Sequence, residues 1–112
     1  MADQDGVPAA SNFFASLATE LSKEQIARLY GSCGWAVRKC SRIDFEICCP
    51  WGELMIDGQS PILLHGPVAQ VLLNVEAILA PLRAAGVSYT AECYGEAQEL
   101  LRKDEWHAGS NA

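Results

Sequence analysis

Between Trp35 and Asp57 the apolar residues recur at every second position, and each alternating run is closed by turn-forming residues. Trp35 and Val37 alternate with Ala36 and Arg38. Ile43, Phe45 and Ile47 alternate with Asp44, Glu46 and Cys48, and Leu54 and Ile56 with Glu53, Met55 and Asp57. A period of two is the side-chain repeat of a strand with one face on a core and the other toward water. Ser41-Arg42, Pro50-Trp51-Gly52 and the stretch from Asp57 to Pro61 supply the reversals, which makes this region an antiparallel meander. Ile62-Leu63-Leu64 is a short apolar run that adds a fourth strand.

Helical signals flank the meander. Ser22-Lys23-Glu24-Gln25 has the spacing of a capping box, and Leu21 with Ile26 can staple it, which predicts a helix from Lys23 to Gly31. Ser11 and Asn12 predict an earlier short helix ending near Glu20, with Phe13, Phe14, Leu17 and Leu21 near one face. Pro67 suits the first position of a long helix whose inward stripe is Val68, Val71, Leu72, Val75, Ile78, Leu79 and Leu82, and Gly86 falls just past its end. Val87, Tyr89, Ala91 and Cys93 alternate as a fifth strand, and Gly95 opens a final helix with an acidic first turn and Arg102-Lys103 near its end.

The expected fold class is therefore α+β: a mainly antiparallel sheet, a four-stranded meander plus a fifth strand, with helices packed on one face. The expected organisation is one domain over 11–106, with disordered tails at 1–10 and 107–112. A first hairpin centred on Ser41 sets Val37 opposite Phe45 and Arg38 opposite Asp44, and brings Cys33 alongside Cys49.

Composition narrows the function classes. A chain of 112 residues supports one hydrophobic core. A net charge of -6 argues against a nucleic-acid surface, which needs clustered Lys and Arg. No apolar run approaches the roughly 20 residues that span a bilayer, so no membrane partner is expected. The acidic start Met1-Ala2-Asp3-Gln4-Asp5 lacks the basic and apolar regions of a secretory signal, and the expectation is a cytoplasmic protein. Five cysteines with no C-x-x-C pair signal neither a disulfide framework nor a zinc knuckle, so reduced thiols and no metal or cofactor are expected.

The uncovered, polar face of the sheet is the candidate site. Parity assigns Arg38, Asp44, Glu46, Glu53, Asp57 and Glu92 to it together with Cys48, Met55, Ser88 and Thr90, and Cys48, Met55 and Trp51 are stray apolar groups on a charged surface. Side chains on a flat sheet diverge, so these carboxylates suit a broad contact surface better than a converging acid–base or metal site. The reading is a small acidic module of adaptor, chaperone or inhibitor type that binds another protein, as a monomer or homodimer. The alternative is a small enzyme or thiol/metal protein. In it His65, kept neutral by the following helix N-terminus, acts with a cysteine such as Cys48 and the sheet carboxylates.

Overall fold

The computed structural model describes residues 8–109. The strands pair antiparallel throughout, but their order across the sheet is not their order along the chain. In sequence the elements are β1 (Phe13–Ala18), α1 (Lys23–Gly31), β2 (Ala36–Lys39), β3 (Phe45–Cys49) and β4 (Gly52–Gly58). They continue with β5 (Ile62–Gly66), α2 (Val71–Ala84), β6 (Ser88–Tyr94) and β7 (Leu100–Trp106). Across the single sheet the order is β2-β3-β4-β5-β1-β6-β7. The class is α+β, as expected, but the sheet has seven strands rather than four plus one.

Both extra strands replace expected helices. β1 buries Phe13, Ala15 and Leu17 and turns Phe14, Ser16 and Ala18 outward, so its period is two. The string Phe-Phe-Ala-Ser-Leu-Ala fits both repeats, and pairing with a strand on each side decides for extension. β7 hides its alternation because charges stand on both of its faces, as an edge strand allows. It returns from β6 through a turn in which Gly95 N–H donates to the Glu99 carbonyl at 2.9 Å.

α1 forms where its capping box predicts. Gln25 N–H donates to Ser22 Oγ at 3.1 Å, and Ser22 N–H donates to Gln25 Oε1 at 2.8 Å. α2 starts four residues later than Pro67, because 67–69 extends the pairing of β5 instead. Glu53 N–H donates to the Pro67 carbonyl and Ala69 N–H to the Trp51 carbonyl. Asn12 completes that extension with its side chain: Oδ1 accepts from Val68 N–H at 2.8 Å, and Nδ2 donates to the Val68 carbonyl at 2.9 Å. Gly86, at φ +75°, closes α2 as expected, and Val87 N–H reaches back to the Leu82 carbonyl.

The first hairpin is displaced by two residues from the expected register. Val37 faces Ile47 and Arg38 faces Glu46, because the loop is longer than a Ser41-Arg42 turn. Ser41 Oγ accepts from the N–H groups of both Ile43 and Asp44, which holds Asp44 in the loop. A slip of two preserves the face of every side chain, so the parity of Arg38, Glu46 and Cys48 is unchanged. It also removes the basis for a Cys33–Cys49 neighbourhood: Cys33 is exposed after α1, whereas Cys49 packs against the core.

Both helices lie on one side of the sheet, α1 over β2, β3 and β4, and α2 over β6 and β7. It is therefore α1, not α2, that covers the meander. Tyr30 of α1 donates its buried hydroxyl to the Ile78 carbonyl of α2 at 2.6 Å, which ties the two helices together. Val75, Ile78, Leu79 and Leu82 are fully buried, but Leu72, in the first turn of α2, is 49% exposed. Of the expected tails, 1–7 and 110–112 lie outside the described residues.

Leu79→Ala is expected to cost about 2–5 kcal/mol through the cavity it leaves. Leu72→Ala should stay within about 0.5 kcal/mol. Paired denaturant melts of the two variants check this.

Candidate functional site

No helix of the described residues covers the other side of the sheet, the bare face, and the strand registers give its layout. At its centre Met55, His65 and Phe14 stand in one row across β4, β5 and β1. That row runs outward to Glu46 and Arg38 on one side and to Glu92 and Lys103 on the other. The next row carries Asp57, Leu63, Ser16, Thr90 and Glu105.

The central groups are in contact. The Phe14 and His65 rings are parallel within 4° at 6.3 Å, and Tyr94 meets Phe14 edge-on at 5.7 Å. His65 Nε2 lies 3.0 Å from Asp57 Oδ1 and 3.1 Å from Oδ2, two residues that the β4–β5 hairpin sets on one face. Beside them is a shallow cavity of about 170 Å³ lined by Phe14, Ser16, Leu63, His65, Thr90 and Glu92. Phe14 is 39% exposed, and Leu63 is exposed next to it. The result is an aromatic and aliphatic island inside a ring of carboxylates.

Of the expected site residues in the meander, six share this face: Arg38, Glu46, Cys48, Glu53, Met55 and Asp57. Arg38 is ion-paired with Glu46 across β2 and β3, not with Asp44. Asp44 and Trp51 lie elsewhere. Asp44 sits in the first loop and takes the Lys23 ammonium of α1 at 3.1 Å. Lys23 is only 8% exposed and also donates to the Gly58 carbonyl and Gln59 Oε1, which fastens α1 to two loops at once. Trp51 packs edge-on against Trp35 at 5.1 Å on the helix side, because a two-residue loop between Cys49 and Gly52 turns it inward.

His65 and Cys48 are not brought together. Cys48 stands on β3 and His65 on β5, with β4 between them, so roughly 10 Å of sheet separates the strands. Burial pushes the Cys48 thiol above its usual range, and Glu46 and Glu53 beside it push the same way. Arg38, Lys39 and Arg42, the basic residues around the first hairpin, are divided in space. Arg38 is on the bare face, while Lys39 and Arg42 line a groove of about 470 Å³ at the N-terminal end of α1.

Phe14 and Leu63 escaped sequence reasoning. The spacing around Phe14 suits a helix, which hides its outward position on a strand, and Leu63 belongs to an unbroken apolar run with no alternation to reveal its own. No protein-family model, curated protein or solved structure matches the chain. No helix of the described residues is long and apolar enough to cross a membrane.

The thiols offer a direct check of these faces. Iodoacetamide should modify exposed Cys33 and Cys40 first, then Cys48, and reach buried Cys93 only when the fold opens. Burial pushes Cys93 up to about 11 from an ordinary 9.0, so the folded state holds that proton more tightly than the unfolded chain. Its stabilising contribution is complete below pH 9.0 and is lost as pH rises toward 11. Cys93→Ala should flatten that part of a stability–pH curve; an unchanged slope contradicts it.

Proposed function

We propose that the bare sheet face docks another protein, one that presents an apolar side chain flanked by lysines or arginines. The observation that carries this reading is exposed Phe14 stacked on half-buried His65 at the centre of a face that neither helix covers. An apolar, aromatic centre within a polar rim is the anatomy of a protein interface. The charge of the rim selects the partner. Glu46, Glu53, Asp57, Glu92 and Glu105 stand against Arg38 and Lys103, five carboxylates to two cations, and Arg38 is already engaged by Glu46. A basic partner gains long-range attraction and a faster encounter from such a rim.

The shape of the face favours binding over catalysis. The cavity beside His65 is small and shallow, and Asp57 is the hydrogen-bond partner of His65 among the described residues, with no hydroxyl or thiol joined to it.

Phe14→Glu and Leu63→Glu place new carboxylates in the island at exposed positions, and Ile43→Glu does the same at an exposed loop on the first hairpin. A host protein retained by the wild-type chain should be lost with the first two variants and kept with the third. Its lysines should cross-link to Glu53 or Glu92, and its retention should weaken as salt rises. Retention that survives Phe14→Glu, or that all three variants abolish alike, contradicts the assignment of this face.

A further inference from the structure

The two outer strands of the sheet end it in different ways. β2 has four residues, every one exposed, and its last two are Arg38 and Lys39. A short edge carrying like charges resists pairing with another chain. β7 has seven residues, and no strand of the described residues covers its outer side. Its charges also fall in an order that β2 lacks: Arg102 and Lys103 precede Asp104 and Glu105. Laid antiparallel against itself, such a strand sets its basic half against the acidic half of its copy.

We propose that β7 pairs antiparallel with β7 of a second copy of this chain, about a two-fold axis at Asp104 perpendicular to the sheet. A two-fold axis of that kind keeps the same side chains on the same face, so only registers that pair residues of equal parity are allowed. With Asp104 on the axis, Lys103 stands opposite Glu105 of the second copy, twice. Both side chains are exposed on the bare face, and neither has an ion-pair partner among the described residues. The two Asp104 groups that meet at the axis each arrive beside a cation. Arg102 Nε of the same chain donates to Asp104 Oδ2 at 2.7 Å on the helix side.

An apolar patch adjoins the same edge. A bulge between Cys93 and Tyr94 leaves Leu101 outside the β6–β7 register, next to the start of α2. There Val71, Leu72, Leu73 and Leu101 line a shallow cavity of about 370 Å³, and Leu73 is 74% exposed. The antiparallel apposition brings Trp106 of the second copy to this end of the edge. Polar pairing at the strand and apolar contact at the helix therefore use one surface, and that surface is complementary to itself. The pairing does not depend on Phe14, His65 or the reading of the bare face.

Sedimentation equilibrium across a concentration series, on the full chain, tests it. The wild-type mass should rise to twice 12.1 kDa. Lys103→Glu and Glu105→Lys are substitutions of exposed residues and should each hold the mass at the single-chain value, because like charges then face each other across the axis. An equimolar mixture of the two variants restores opposite charges at every pair and should return the doubled mass. A wild-type mass that stays at the single-chain value overturns the proposal. So does a doubled mass in either variant alone, or a mixture that remains at the single-chain value.

Discussion

The antiparallel pairing of β1 with β5 on one side and β6 on the other makes one sheet from two ribbons. Without it, β2 to β5 would form one meander and β6–β7 a separate hairpin, each with an edge left open. An isolated hairpin is marginal in water, whereas a strand paired on both sides has its backbone groups satisfied and its apolar face buried. Phe13, Ala15 and Leu17 lie under the helices because β1 lies where it does. Phe14 faces the opposite way, next to His65, for the same reason. The central row of the bare face is thus a product of the insertion of β1.

The remaining features reinforce that arrangement from outside the strands. Asn12, just before β1, pairs with the backbone of Val68 and delays α2 until Val71. Lys23, at the start of α1, fastens the helix to Asp44 and to the turn at Gly58 and Gln59. A nearly buried ammonium is stable only when its donors are satisfied, and here three acceptors surround it. Tyr30 closes the contact between the helices, and its burial raises the hydroxyl well above the usual tyrosine range. With both helices held on one side, no helix of the described residues covers the other side of the sheet.

Much of this was legible in the residues, and what was not has physical causes. The alternation of Phe45 and Ile47 and of Leu54 and Ile56, the capping box at Ser22, Gly86 after the long helix and the inward Val87-Tyr89-Ala91-Cys93 set are where the periodicities place them, whereas Val37 on the edge strand and Ile43 in the first loop are exposed instead of inward. The misread elements are those whose local pattern is neutral. Phe13 to Leu21 satisfies two periods, and tertiary pairing chooses between them. Leu100 to Trp106 carries charges on both faces because an edge strand needs no continuous buried side. The hairpin register depended on whether Ser41 would cap a longer loop, a side-chain hydrogen bond that strand alternation does not encode. A slip of two spared the site, because parity survives it. Asp44 and Trp51 left the expected face because each belongs to a loop, where parity has no meaning.

Native-state hydrogen exchange on β1 tests most directly whether this strand unites the sheet. If it does, the amides of Ala15, Ser16 and Leu17 should be among the slowest to exchange in the chain and should open only with global unfolding. Their protection should match that of Leu64 and Ala91, which flank Ala15 on β5 and β6. Exchange of these amides at the rate of a frayed segment, while β4–β5 and β6–β7 stay protected, would contradict both the joined sheet and the face built on it.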